Sequence, residues 1–258
     1  MGQVRVDLNI SLDGYATTTD QTPEDPIGKD WNRLVAAYVA TRTMQERVFG
    51  QSGEGTTGLD DDYAAAYFDG IGAEIMGAGM FGLHAHPGDL DWQGWWGPNP
   101  PFGVPVFVLT HEQRPTLEME GGTTFHFVQT SPEETLARAK EVAGDLDVRI
   151  GGGASVVRYY LAAGVVDRLH VGIAPILLGR GVRLWEDLRE LEQGYKITSE
   201  VAPQRNDPRD VYPLNQNHRP LWHDRDRPPQ TATTPNGTRW PPTGWTTPAR
   251  RWRWRAGS

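Results

Sequence analysis

DVRIGGGASVVRYYLAAG, residues 147–164, is the stretch whose reading decides the fold. Val148 and Ile150 read as the end of a buried strand, and Gly151, Gly152 and Gly153 as a tight turn. Residues 154–163 then read as a helix closed by Gly164. A strand that breaks into glycine at the mouth of a helix leaves backbone N–H groups pointing outward, where the helix dipole adds partial positive charge. Glycine lets a ligand approach that backbone closely. The pattern therefore predicts an anion-binding turn of the kind that receives a phosphate; the plainer alternative is a tight strand-to-helix turn with no ligand.

The motif departs from two familiar phosphate loops. In a G-x-G-x-x-G fingerprint the third glycine would fall at Val156, and no Gly-Lys-Ser/Thr follows as in a P-loop. Elsewhere, strands and helices alternate through residues 105–175, which predicts an α/β fold with a largely parallel sheet covered on both faces. Val4, Val6, Leu8 and Ile10 alternate with Arg5, Asp7 and Asn9 in a first strand, and Asp13-Gly14 turns off its end. Asp30 stands where it can cap a helix that carries Leu34, Val35, Tyr38 and Val39. Residues 63–68 read as a short helical piece, and residues 73–76 as a buried strand running into the glycine-rich GAGMFG at 77–82. Residues 83–104, dense in Gly, Pro and Trp, read as a loop packing its own rings, or as an aromatic lid over a ligand. Ser131 and Glu134 form a capping box with Pro132 in the first turn and Gly144 at the end, the sharpest helix boundaries in the chain.

The 258 residues include no cysteine, which excludes disulfides, thiolate catalysis and cysteine-ligated zinc. The first residues hold no apolar run of signal-peptide or membrane-helix length, so the expectation is a cytoplasmic protein with no membrane partner. The formal charge of −8 hides an asymmetry. Residues 203–258 carry ten Arg, no Lys and four Asp, with half of the 20 prolines and half of the 10 tryptophans. The expected division is a folded domain over 1–202 and a mostly disordered Pro/Arg/Trp-rich tail over 203–258, such as an out-of-frame reading of a gene produces. With Val211, Leu214 and Leu221 as its aliphatics, the tail is not expected to supply a central strand. It contains no folded nucleic-acid module.

In order, SLDGY, AEIMGAGMFG, PVFVLTH, GGTTFHF and VRIGGGASVVRYYLAAGVVDRLHVGIAPILLGRGVRLW resemble the dihydrofolate-reductase-like family. Within it they are most similar to the reductase domain at the C-terminus of the bacterial bifunctional deaminase–reductases of riboflavin biosynthesis. The resemblance spans roughly residues 3–201. It implies a three-layer α/β/α fold around a mixed, mostly parallel sheet. It also implies NADPH-dependent hydride transfer to the C=N or C=O bond of a small heterocyclic or carbonyl substrate, as in 5-amino-6-(5-phosphoribosylamino)uracil reductase or dihydrofolate reductase.

By that resemblance Gly151, Gly152, Gly153, Ala154 and Ser155 hold the pyrophosphate, and Gly77, Ala78, Gly79 and Met80 form a second phosphate contact. Thr110 and His111 fall near the adenosine ribose and its 2′-phosphate, and Asp13 and Gly14 near the nicotinamide or substrate. The family commonly has Arg at the position of Ala78 and Thr at that of Met80. An Arg–phosphate contact contributes about 1.5–3 kcal/mol, so NADH is an expected alternative to NADPH unless His111 or Arg114 compensates.

Asp13 and Asp30 are the candidate proton donors beside the hydride acceptor; a turn residue and an N-cap are their plainer roles. His84, His86 and Asp89 read as surface residues, and His126 and His170 as core or sheet-face histidines. No metal site is expected. A nucleotide-binding domain without turnover is the second functional expectation, and a partner-binding protein using the basic tail the third. A missing terminal strand would leave a sheet edge open, so a homodimer is also expected.

Overall fold

A computed structural model describes residues 2–17, 19–25 and 27–202, and the backbone of 250–256. The first half of the chain runs β1 (Val4–Ser11), β2 (Tyr15–Thr17), α1 (Trp31–Val39), α2 (Arg42–Phe49), α3 (Leu59–Phe68), β3 (Ile71–Gly77), α4 (Ala78–Phe81) and β4 (Pro105–Leu109). There follow β5 (Leu117–Glu118), β6 (Thr124–Val128), α5 (Pro132–Ala143), β7 (Asp147–Gly152), α6 (Ala154–Ala162) and β8 (Arg168–Ala174). β9 (Val182–Arg183), α7 (Leu191–Gly194), β10 (Tyr195–Val201) and β11 (Arg250–Ala256) complete it.

One sheet has the order β10-β11-β8-β1-β7-β3-β4-β6-β5, and β2 pairs with β9 apart from it. Strands β8, β1, β7, β3, β4 and β6 are mutually parallel, so their C-terminal ends share one edge. β5 and β11 run antiparallel to their neighbours. The fold is the mixed, mostly parallel α/β sheet that the alternation of strands and helices predicts.

The two faces of that sheet differ in chemistry. Val4, Val6 and Ile10 of β1, with Val148 and Ile150 of β7 and Leu169 and Val171 of β8, bury against Leu136, Ala139 and Ala143 of α5 and Val157, Tyr160 and Leu161 of α6. Removing such a side chain from water contributes about 1.5–3 kcal/mol. The other face carries Arg5, Asp7, Glu74, Arg149 and His170, all under 9% exposed. Its arginines hold a helix end. Arg5 donates to the carbonyls of Ala66 and Asp69, and Arg149 to that of Tyr67. These are the last carbonyls of α3, which have no intrahelical partner and carry the negative end of the dipole.

Local signals behave as read at α5: Ser131 Oγ accepts from the Glu134 amide at 3.2 Å, Pro132 opens the helix, and Gly144 closes it. The helix expected after Asp30 is α1, and a second helix, α2, follows it directly. α1 stops at Val39, and Thr41 caps α2 by accepting from the Met44 amide. Asp30 holds the N-cap position but makes no side-chain cap bond.

The tail needs a larger correction. Residues 250–256 form a strand lying between β8 and β10, with Trp252 opposite Val171 and Arg253 opposite His170. The edge of β8 expected to stand open for a second copy is therefore covered. Strict alternation of Trp252 and Trp254 with Arg251, Arg253 and Arg255 is itself a period-two pattern. The disorder and out-of-frame origin expected for residues 203–249 fall outside the described residues.

Candidate functional site

Two glycine turns leave the sheet side by side. β3 ends in Gly77 and passes into α4, and β7 ends in Gly151-Gly152 and passes through Gly153 into α6. Gly153 is the N-cap of α6 at φ +77°, and a Cβ there would lie 3.7 Å from Gly77 Cα. At Gly151 a Cβ would collide with the Glu74 carboxylate, 2.0 Å away. Both positions thus need glycine for local reasons. The first-turn amides of α6 have no intrahelical acceptor; that of Ala154 donates to Thr17 Oγ1 at 3.3 Å.

These turns open on a cavity of about 950 Å³, which falls in the range of small-molecule and cofactor sites. Gly77, Ala78, Gly79, Met80, Gly151, Gly152, Gly153, Ala154 and Ser155 all line it. The structure thus brings the two expected phosphate turns together.

The cavity continues away from the turns beneath α1–α3, where Trp31, Tyr38, Phe49, Tyr63, Tyr67 and Phe68 form one wall. The opposite wall comes from the Gly/Pro/Trp-rich loop. Trp92 Nε1 donates to the Phe81 carbonyl and Trp95 Nε1 to that of Met80, each at 2.9 Å. Trp96 packs among Phe81, Phe102 and Phe125. The loop both packs its own rings and walls the cavity, with Trp95, Trp96 and Phe102 facing it.

Asp13 and Asp30 lie elsewhere. Neither is among the residues lining the large cavity; Asp13 and Gly14 line a separate small recess with Trp185 and Arg183. Slight desolvation raises the Asp13 pKa, but bonds from Ser11 Oγ and from the Gly179 and Leu178 amides outweigh it and hold the group at about 2. Asp30 accepts from Arg180 and from Arg33, and those bonds lower its pKa. A carboxyl kept ionised by such bonds is a poor acid. Asp13 ties the 178–179 turn to β1 and Asp30 anchors Arg180, so neither carboxyl stands at the large cavity.

Thr110 and His111 follow β4 at the sheet's C-terminal edge but do not line the cavity. Thr110 Oγ1 accepts from the Glu112 amide, and the His111 carbonyl from Gln129. Arg114 does not stand in for the missing arginine at 78. It is 7% exposed, donates to the Trp92 carbonyl and lies over the Phe127 ring. His86 stacks on Trp92 and meets Asp89 at 3.5 Å. Among the described residues, no three His, Cys, Asp or Glu side chains gather as a metal centre would need, and no helix is long and apolar enough to cross a membrane.

The burial of His170 on the sheet face agrees with the sequence reading, which did not pair it with Asp7. They face each other from β1 and β8, and both line the cavity. The signal was present: Asp7 and His170 each interrupt an apolar strand, and a polar residue on a buried strand needs a partner.

Paired glycine turns over one cleft stand at the C-terminal edge of parallel strands, the edge at which open α/β sheets bind ligands. The family model for the RibD C-terminal domain matches residues 3–201, and the chain belongs to that family. It is a reductase-like family, which fits the cleft.

Among solved structures, a protein described as a riboflavin biosynthesis protein from Shewanella sp. PV-4 is 20% identical, covering 77% of this chain and 92% of that one, with a TM-score of 0.48. A pyrimidine reductase-like protein from Corynebacterium diphtheriae is 13% identical, covering 100% and 92%, with a TM-score of 0.44. Dihydrofolate reductase from Enterococcus faecalis, complexed with NADP(H) and RAB-propyl, is 12% identical, covering 100% and 98%, with a TM-score of 0.43. A search of curated proteins finds no match.

Proposed function

We propose that the chain is a nicotinamide-nucleotide-dependent reductase of a small substrate with a C=N or C=O bond. The observation that carries this reading is the meeting of the 77–80 and 151–155 turns at one cavity. Backbone amides at the mouth of α6 suit a diphosphate. Bound there, a reduced nicotinamide supplies hydride. The chain's own groups orient it, exclude water with the aromatic walls and provide the proton.

Ala78 and the commitment of Arg114 to Trp92 support acceptance of both NADPH and NADH. The substrate occupies the part of the cavity beneath α1–α3, between Trp31, Tyr63 and Tyr67 on one side and Trp95 and Trp96 on the other.

Quenching of tryptophan fluorescence by NADPH and NADH tests the reading, and the two affinities are expected to agree within about tenfold, since one missing Arg–phosphate contact removes most of the discrimination. Ser155→Asp sets a carboxylate in the first turn of α6, on the cavity wall, and is expected to weaken both nucleotides at least about a hundredfold. Circular dichroism should show the fold retained. If neither nucleotide binds, or if Ser155→Asp leaves their affinities unchanged, the assignment fails. Binding without oxidation of NADPH by any imine or carbonyl acceptor would instead favour a nucleotide-binding domain without turnover.

A further inference from the structure

The cavity floor holds a group able to deliver a proton, in the same cavity as the glycine turn. Asp7 of β1 lies opposite His170 of β8, and His170 Nδ1 is 3.4 Å from Asp7 Oδ1, with both side chains 5% exposed. Tyr63 of α3 lies flat on the imidazole, with ring centroids 3.9 Å apart and planes within 5°. A carboxylate thus lies at one edge of the ring, close enough for charge attraction, and a phenol covers one face. β7, on the other side of β1, pairs with it as far as Ile150 opposite Val6, and the glycine turn that follows lines the same cavity as Asp7 and His170.

The charged and titratable groups around the pair come from every packed element. Arg5 Nη2 of β1 is 3.5 Å from Asp7 Oδ2, and Arg168 of β8 adds positive charge near Asp7. Tyr63 comes from α3 and donates its hydroxyl to Glu200 of β10 at 2.8 Å, and Tyr38 of α1 lines the same cavity. Burial raises the Asp7 pKa, but the bond to His170 and the charges of His170, Arg5 and Arg168 outweigh it, so the group stays below the ordinary aspartate value. Asp7 is consequently anionic wherever histidine titrates. An anionic partner at Nδ1 orients an imidazole and favours its protonated form.

We propose that His170, oriented by Asp7, is the acid that protonates the substrate as it is reduced, an inference that rests on the reductase reading above. The electrophilic carbon of the substrate's C=N or C=O bond gains the hydride given up by reduced nicotinamide, which is oxidised. The π electron pair moves to the nitrogen or oxygen, and that atom takes the proton from Nε2, the ring nitrogen that Asp7 does not engage. Neutral His170 then regains a proton from water. His170 touches the substrate; Asp7 positions it.

A matched pair of flat bicyclic probes tests this. 3,4-Dihydroisoquinoline is an imine that needs a proton, whereas its N-methyl iminium needs none. Without nicotinamide, at a pH where the imine is neutral in water, the wild-type chain is expected to bind it with the absorbance spectrum of the protonated form. His170→Asn is expected to bind it with the neutral spectrum. With NADPH, the ratio of imine to iminium reduction rates is expected to fall about a hundredfold in H170N and about tenfold in Asp7→Asn. The iminium rate serves as the internal measure of folding and hydride delivery.

A neutral spectrum with the wild-type chain, or a rate ratio that H170N does not change, overturns the role of His170. Failure of the wild-type chain to bind NADPH or to reduce the pre-formed iminium falls on the reductase reading, while the cofactor-free spectrum still decides His170.

Discussion

Asp13 commits its carboxylate to three donors, Ser11 Oγ at 2.6 Å, the Gly179 amide at 2.8 Å and the Leu178 amide at 3.1 Å. Its folded pKa of about 2 lies below the ordinary 3.8, so its contribution to stability is complete above about pH 4 and is lost as the pH falls towards 2. Asp13→Asn is therefore expected to lower the melting temperature clearly at pH 7 and hardly at all at pH 2. Differential scanning calorimetry at the two pH values checks it, and an equal decrement at both would refute it. Asp13 and Asp30 were legible as turn and helix-start residues, whereas these bonds were not. Their partners Gly179 and Arg180 lie 166 and 150 residues away, and no local pattern announces them. The pairing of Asp7 with His170 was hidden for a related reason, since it exists only once β1 and β8 are neighbours.

Between β3 and β7, Glu74 and Arg149 stand in register and form an ion pair with side chains no more than 1% exposed. Arg149 also lies 3.5 Å over the Tyr67 ring and holds the end of α3, while Glu74 sits beneath Gly151. Burial raises the Glu74 pKa, with Arg149 opposing it, so loss of the arginine leaves an acid with nothing to balance its desolvation. Arg149→Met alone is expected to cost about 3–5 kcal/mol, and adding Glu74→Met should restore most of it, because breaking a buried pair is worse than replacing it. Urea unfolding of the two single variants and the double measures this, and additive losses would contradict it. Element boundaries with local chemistry were legible, as at Ser131–Glu134, Gly144 and the 151–153 turn. The break at Thr41 was not, because the apolar spacing continues across it. β11 was obscured because tryptophan and arginine alternate where aliphatic residues were sought.

On the scale of the molecule, parallel strands with their ligand edge on one side leave two flanks to be closed, and β11 closes the flank of β8. Removing residues 250–256 leaves residues 168–172 without those antiparallel partners. A bare edge of that kind pairs with other chains. The shortened chain is expected to shift to higher mass than the full chain in size-exclusion chromatography with light scattering, and an unchanged mass would show that β11 does not guard the edge. The fold class was legible because strand and helix periodicities alternate over a long stretch; the way the sheet ends was not, because it depends on a segment remote in sequence.

The two coverings of the sheet are unequal in one more respect. α5 and α6 rest on interdigitated side chains, whereas α1–α3 span about 950 Å³ of open space above a charged floor. Lifting the second covering exposes less fresh apolar surface, so thermal opening is expected to begin there. A molecule bound beneath α1–α3 is then expected to hold that layer down, and its departure to keep pace with the layer's opening.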